Sequence, residues 1–171
     1  MECNGVSRLL GLDVGEKTIG TAVSDENAVI AFPRETIRRQ EGWRRDMAAL
    51  RELVARNQIQ AIVIGLPLMM DGTSGIQAQK IESFVRVLRR NVRVPIFMQD
   101  ERLSTREADR MLVQANLNSG ERKRSVDSIA ACLLLQSYLD RRAAGDGESD
   151  SDPDSADDGG NVEVDNDEVG S

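Results

Sequence analysis

Histidine is absent from the 171-residue sequence, and this absence excludes several kinds of catalytic site. Ser-His-Asp triads and histidine-ligated zinc both require an imidazole ring, so neither can be built from this chain. Without an imidazole general base, carboxylates become the main candidates for acid, base or metal-binding chemistry.

Cysteines and aromatic residues are few. The two cysteines are Cys3, near the N-terminus, and Cys132, within an apolar helical pattern. They do not suggest a disulfide framework, and we interpret both as free thiols. Aromatic residues make up 3% of the chain. This content does not support the extensive base stacking that single-strand binders use.

Long apolar runs are also missing. No run approaches the ~20 residues that a membrane-spanning helix needs, and the N-terminus lacks a signal-peptide pattern. A hydrophobic content of 40% with mixed charges is typical of one globular domain at this length. We therefore expect a cytoplasmic protein that does not associate with membranes.

Positive charge is absent from the end of the chain. Residues 143–171 contain 11 acidic and no basic side chains, whereas the preceding 142 residues carry 22 basic and 18 acidic ones. The net charge of −7 thus hides a mildly basic domain. We predict a folded domain at 1–142 and a disordered acidic tail at 143–171. The tail is either a solvated extension or a competitor of nucleic acid for the basic surface.

Hydrophobic patterning predicts an α/β fold. The predicted strands are 8–14, 18–24, 29–32 with a continuation near 36–37, 61–65 and 95–99. The predicted helices are 42–57, two that begin at Ser74 and Ser104, and 126–142. Strands followed by alternating helices and strands indicate a mixed sheet, antiparallel in its first part and parallel in the remainder.

Acidic residues from three separate elements are expected to meet at one edge of this sheet. Asp13 lies near the end of the first strand and Asp100-Glu101 closes the last, and ligands gather at the carboxyl ends of parallel strands. Asp127 is expected in the first turn of the final helix, on the same side as its apolar stripe, and so turned toward the sheet. Adjacent strand residues point to opposite faces, so only one of Asp100 and Glu101 should reach the others.

Each acid also has a simpler explanation. Asp13 could form a turn before Gly15, and Asp127 could complement a helix dipole. Asp100 and Glu101 could be a solvated strand end. Taken together, however, converging carboxylates repel each other unless a hard divalent cation binds, and an oxygen-only site suits Mg²⁺ or Mn²⁺. The combination therefore favours a metal site.

Basic residues stand close to these acids in the sequence. They are Lys17, Arg102, Arg122, Lys123 and Arg124. Contacts from such side chains to phosphates give affinity without sequence preference. For residues 122–124 the simpler alternative is a solvated basic turn.

Four ordered segments between residues 8 and 142 carry a resemblance to a known family. They are DVGEKTIGTAVSD, VIGLPLMMDGTSG, DERLST and KRSVDSIAACLLLQSYLD. In this order they resemble the YqgF family, also called RuvX-like. Its members are bacterial nucleases of precursor 16S ribosomal RNA that were earlier described as Holliday junction resolvases.

The resemblance implies a ribonuclease H-like fold, with a five-stranded mixed sheet of order 3-2-1-4-5 and helices on both faces. It implies that Asp13, Glu101 and Asp127 are the catalytic acids and metal ligands, which selects Glu101 over Asp100. It also implies Mg²⁺ or Mn²⁺ as cofactor, and nucleic acid and ribosome-assembly particles as partners. One position departs from the family pattern, because Thr18 stands where a basic residue usually precedes Ile-Gly.

The function expected from this resemblance is a metal-dependent endonuclease that processes the 5′ end of pre-16S rRNA during ribosome biogenesis. The alternative is a Holliday junction resolvase in DNA recombination and repair, and the sequence does not distinguish RNA from DNA or monomer from dimer. DVGEKTIG also resembles the phosphate loop of actin-like ATPases, but those need two such domains and this chain has room for one. A further alternative is a nucleic-acid-binding module that has lost catalysis.

Overall fold

The computed structural model describes residues 7–66, 75–100 and 119–145. The strands are β1 (Leu9–Val14), β2 (Thr18–Ser24), β3 (Ala31–Pro33), β4 (Ile37–Arg38), β5 (Ala61–Leu66) and β6 (Ile96–Asp100). The helices are α1 (Arg44–Arg56), α2 (Ile76–Asn91) and α3 (Ser119–Ala143). The helix predicted from Ser104 and the predicted tail beyond residue 145 lie outside these ranges.

The strands form one mixed sheet in the order β3-β2-β1-β5-β6. β1 is antiparallel to β2 and parallel to β5, and β5 is parallel to β6. This confirms the predicted α/β fold and its strand order, with one difference of detail. The third predicted strand consists of two segments, β3 and β4, which both pair with β2. The first segment ends at Pro33, and Arg34 N still donates to the carbonyl oxygen of Thr21 at 2.8 Å.

Helices α1 and α2 cover one face of the sheet. Strand side chains alternate between faces, so every second residue of β1 and β5 points toward these helices. The buried cluster on this side contains Leu10, Leu12, Ile62, Ile64, Leu50, Phe84 and Leu88. The spacing of Ile81, Phe84, Val85 and Leu88 gives α2 the apolar stripe that rests on the sheet.

Helix α3 covers the opposite face. Small and apolar residues of β1, β2 and β5 on this side pack with the inner stripe of the helix. The cluster contains Leu9, Ala22, Val63, Ala131, Leu135, Tyr138 and Leu139. Helices therefore cover both faces, as predicted. No helix within the described ranges is both long and apolar enough to span a membrane.

Two glycines let α3 lie directly on the β1–β2 pair. A Cβ atom at Gly20 would stand 1.9 Å from the carbonyl oxygen of Asp127, and one at Gly11 would stand 2.8 Å from Leu135 Cβ. Both distances are shorter than non-bonded atoms allow. A side chain at either position would therefore push the helix away from the sheet.

Side chains of α3 also close the open edge of β3. At intervals of four residues, Ser128 Oγ donates to the carbonyl oxygen of Arg34 and Cys132 Sγ donates to that of Ala31. One turn further, Gln136 Oε1 accepts a hydrogen bond from the Ala31 N–H at 2.9 Å. Burial raises the pKa of the Cys132 thiol, so it stays protonated as this contact requires. The helix thereby satisfies edge groups that could otherwise pair with another chain.

Substituting Gly20 by alanine should separate α3 from the sheet. Because the added methyl group would overlap the Asp127 backbone, we expect a loss of about 3 kcal/mol in the free energy of unfolding, at the upper end of overpacking effects. Chemical denaturation of both proteins measures this loss.

Gly42→Ala is the matched control. Gly42 has a φ of +80° and nothing within 4 Å of its would-be Cβ, so this change should cost only the backbone penalty of roughly 1 kcal/mol. Equal losses in the two variants would contradict close helix packing at Gly20.

Candidate active site

Asp13 lies on the α3 side of β1, one residue before the strand ends. Leu9, Gly11 and Asp13 alternate along this side, and the first two contact α3. The side chain of Asp13 is half-buried, and its register partner on β2 is Gly20. β1 thus places a carboxylate near its C-terminal end, beyond the last apolar contact between the strand and the helix.

Asp127 reaches the same place from α3, but not from the part of the helix that the sequence indicated. The predicted start at residue 126 is wrong, because α3 begins at Ser119 and Asp127 is its ninth residue. The residues before Asp127 are polar and have no helical spacing of apolar residues, so hydrophobic patterning did not predict a helix there. Arginine, lysine and glutamate nevertheless favour helices. A helix dipole acts mainly within the first turn, so it does not explain this aspartate.

The two acids approach each other across Gly20. The Cα of Asp127 lies 3.1 Å from the position a Cβ would take at Gly20, and Asp13 is the cross-strand partner of Gly20. Neighbouring strands are ~4.8 Å apart. The structure therefore brings Asp13 and Asp127 together on one face of the sheet.

The hydroxyl of Thr18 contacts one of these carboxylates directly. Thr18 Oγ1 donates a hydrogen bond of 2.6 Å to Oδ2 of Asp127, in a partly buried position. Thr18 is the first residue of β2 and lies on the same face as Gly20. Residue 18, noted in the sequence for its departure from the family pattern, is thus part of the acidic site.

Glu101 and Arg102 lie outside the described residues, and so does the side chain of Asp100. β6 ends at Asp100, which pairs with Leu66. Among the residues whose side chains are described, no group of three or more acidic, cysteine or histidine side chains could hold a metal ion. Asp13 and Asp127 supply two carboxylates of the predicted three.

The chemistry of these donors fits a hard divalent cation. Both groups are carboxylates, and Mg²⁺ and Mn²⁺ prefer oxygen ligands. A further buried oxygen belongs to Gln99, which lies level with Asp13 across the neighbouring strands of the sheet. Gln99 pairs with Gly65 and is 3% exposed, and its Oε1 has no hydrogen-bond partner within the described part of the chain.

The β1–β2 turn, residues 15–17, is tied down from both sides. Gly15 N donates to the carbonyl oxygen of Thr18, which closes the turn. Lys80 of α2 forms an ion pair of 2.6 Å with Glu16. The hydrogen bond and charge of Lys80 lower the pKa of the exposed Glu16 carboxyl. Lys17 is exposed at the turn, on the edge where Asp13 stands.

Arg39 fastens the same turn to α1, and the sequence reasoning missed it. Its N–H donates to the carbonyl oxygen of Lys17 and its Nη1 to that of Gly15, at 2.9 and 2.8 Å. Its Nε pairs with the buried carboxylate of Asp46 at 3.1 Å, and its guanidinium lies 5.2 Å from the Trp43 ring centre. No local pattern signals such a residue, because its partners come from separate elements.

Arg38 is a second residue that the sequence reasoning missed. It is exposed, and it is the cross-strand partner of Thr18. Register partners in antiparallel strands point to the same face, so Arg38 lies on the face that carries Asp13 and Asp127. The sequence could have indicated Arg38 only if the pairing of the two-residue strand β4 with β2 had been predicted.

Residues 122–124 belong to α3 and are not a turn. Positions 123 and 124 come four and three residues before Asp127, and residues at these spacings share one side of a helix. Their side chains lie outside the described part of the structure. The backbone thus places both positions on the Asp127 side of the helix.

The sheet order and the helices on both faces define a ribonuclease H-like fold. A solved structure, "T. thermophilus RuvC in complex with Holliday junction substrate", shares this fold with a TM-score of 0.52 at 17% identity. The match covers 81% of this chain and 96% of that one. A family model described as "RuvX: Holliday junction resolvase" matches residues 7–141. The chain belongs to the RuvX (YqgF) family.

Two curated relatives support this assignment. A protein of Caldanaerobacter subterraneus subsp. tengcongensis named "Putative pre-16S rRNA nuclease" is 43% identical, over 78% of this chain and 96% of its own. The protein with the same name from Clostridium acetobutylicum is 45% identical, over 77% and 97%. The chain therefore covers nearly the whole of these relatives, and residues after 141 lie outside the family match.

Replacing Arg39 by methionine should destabilise the protein. Asp46 is 1% exposed, and a buried carboxylate that loses its partner typically costs about 3 kcal/mol or more. The double variant Arg39→Met/Asp46→Leu removes both charges and should recover much of this loss. Urea unfolding of the two single variants and the double variant measures the coupling. Additive losses would show that Arg39 and Asp46 do not act as a pair.

Proposed function

We propose that this protein is a divalent-metal-dependent nuclease that hydrolyses phosphodiester bonds in structured precursor RNA, acting at the 5′ end of pre-16S rRNA. One observation carries the proposal: Gly20 allows α3 to set Asp127 beside Asp13 on one face of the sheet. The names of the curated relatives support the choice of RNA. On this proposal the enzyme works in the cytoplasm, on ribosome-assembly particles.

Asp13, Asp127 and Glu101 are the residues that would hold the metal. A divalent cation held by them would supply activation of water and stabilisation of the departing oxygen in phosphodiester hydrolysis. Glu101 follows β6, which lies two strands from β1 and ends at the same edge of the sheet. Gln99 of β6 lies on the α3 side of the sheet, two positions before Glu101 in the sequence. The choice of Glu101, and not Asp100, as the third acid rests on the resemblance of the DERLST segment to the family.

Substrate binding requires positive charge around these acids. The proposed phosphate contacts are Lys17, Arg38, Arg102, Arg122, Lys123 and Arg124. Lys17 and Arg38 are exposed at the edge of the sheet where Asp13 stands. Cations that surround the acids would draw a sugar-phosphate chain across them without reading its sequence.

The second candidate function is Holliday junction resolution. The description of the matching family favours it, and the fold is that of RuvC. A resolvase cuts two strands symmetrically and normally works as a two-fold dimer. We rank this function second, because the curated relatives share the name of an RNA nuclease.

The acidic tail is proposed as a separate, disordered extension. α3 ends at Ala143, close to the predicted boundary at residue 142. The 11 acidic residues that follow position 142 carry the charge opposite to that of the domain. Such a segment cannot bury enough apolar surface to fold alone.

Asp127→Asn and Asp13→Asn should abolish Mg²⁺-dependent cleavage. Removing a ligand charge eliminates several kcal/mol of transition-state stabilisation, which corresponds to at least ~10²-fold in rate. Wild type and variants are assayed side by side on a pre-16S rRNA fragment and on a four-way DNA junction. We expect cleavage of the RNA.

Asp140→Asn is the matched control, since Asp140 lies on the same helix, is exposed and loses the same charge. It should cleave as wild type does. Cleavage by Asp127→Asn at the wild-type rate would refute the metal site. Junction cleavage alone would favour the second candidate function.

Neutralising Lys17 and Arg38 should weaken binding to every sequence alike. Each lost phosphate contact reduces the slope of log affinity against log salt by about one. Fluorescence anisotropy of the Lys17→Gln and Arg38→Gln variants with labelled RNA, at several salt concentrations, measures this slope. The control is Arg93→Gln, which lies before β6 at the opposite edge of the sheet. An equal change in slope for the control would indicate general charge attraction instead of contacts at the site.

A further inference from the structure

Thr18, the first residue of β2, contacts a carboxylate that is distant in the sequence. Its Oγ1 lies 2.6 Å from Asp127 Oδ2, 109 positions away in sequence. An ionised carboxylate can only accept, so the hydroxyl donates. An O–H···O⁻ bond of 2.5 to 2.7 Å belongs to the short, charge-assisted class, about twice as strong as neutral bonds.

The backbone fixes the position of this hydroxyl. Thr18 pairs with Arg38 of β4, and its carbonyl oxygen accepts the hydrogen bond that closes the β1–β2 turn. A β-branched side chain has a restricted χ1 angle. Strand pairing and side-chain stiffness together define where Oγ1 lies, so it can orient a partner instead of following it.

The bond orients Asp127 without removing its charge. An ionised carboxylate offers about four lone-pair sites, and one hydroxyl uses one of them. Sites on both oxygens remain for a cation. A lysine or arginine side chain in contact with this carboxylate would instead place a positive charge where the divalent ion is required, and the two would compete. A neutral donor is the group that holds the carboxylate and leaves its affinity for metal intact.

We propose that Thr18 is the positioning residue for Asp127, and that its hydroxyl holds the carboxylate in the orientation that binds the divalent cation. This inference rests on the proposed metal-dependent function. It assigns to Thr18 an effect on metal affinity that acts through Asp127 and not through the substrate. The loss of a hydrogen bond to a metal ligand typically weakens metal affinity by about 10- to 100-fold.

The test measures metal binding without substrate. Mn²⁺ is titrated into the full chain, and electron paramagnetic resonance measures the concentration of free Mn²⁺, from which the bound fraction follows. Thr18→Val keeps the shape of threonine and removes the hydroxyl, and it should weaken Mn²⁺ binding about tenfold. Thr18→Ser retains the hydroxyl and should bind as wild type does. All variants carry the same acidic tail, so weak binding there is common to them.

A double-variant comparison separates positioning from a structural role. In an Asp127→Asn background, Thr18→Val should cause no further loss, because the residue through which Thr18 acts has changed. Thermal unfolding without metal checks that each protein is folded. Thr18→Ala, which also lacks the hydroxyl, replaces Thr18→Val if the latter is unstable.

The outcomes distinguish this inference from the function on which it rests. Wild-type Mn²⁺ affinity in folded Thr18→Val, together with weakened affinity in Asp127→Asn, would overturn the role of Thr18 and leave the metal site standing. Wild-type affinity in Asp127→Asn would overturn the metal site and the inference together. A tenfold loss in Thr18→Val that Thr18→Ser does not show supports both.

Discussion

The close contact of α3 with the β1–β2 pair is the constraint on which the site depends. The helix rests where Gly11 and Gly20 have no side chains, and its Asp127 backbone lies against Gly20. Since Gly20 pairs with Asp13, the same contact determines the separation of the two acids. Helix packing and the geometry of the proposed site are therefore linked at one residue, and any group larger than hydrogen there would alter both.

A second set of contacts keeps the β1–β2 turn in place above this packing. Lys80 holds it from α2, and Arg39 holds it from the side of α1 through two carbonyl oxygens and the buried Asp46. These partners belong to the layer on the opposite face of the sheet from α3. The turn that follows Asp13 is thus fixed by one helical layer, while Asp127 is fixed by the other. The position of one acid relative to the other depends on the sheet that joins these two helical layers.

The sequence was sufficient for the elements whose patterns are local. Apolar alternation and the uninterrupted run at 61–65 indicated the strands, and the order of strands and helices indicated the mixed sheet. It failed at the start of α3, because residues 119–125 are polar and carry no apolar period. It also missed Arg38, Arg39 and the contact between Thr18 and Asp127. Each of these depends on residues that the fold brings together from distant positions, and no spacing in the sequence records them.

The arrangement of charge follows from what the proposed chemistry must accommodate. Two carboxylates on a strand and a helix repel each other in the free protein, so the fold must hold them by contacts other than their own attraction. Backbone packing at Gly20 and a neutral hydroxyl from Thr18 meet this requirement without cancelling the negative charge. The cations Lys17 and Arg38 are instead exposed on the turn and on a two-residue strand, where they can contact phosphate oxygens. On the proposed function, the acids would bind the metal and these exposed bases would contact the substrate.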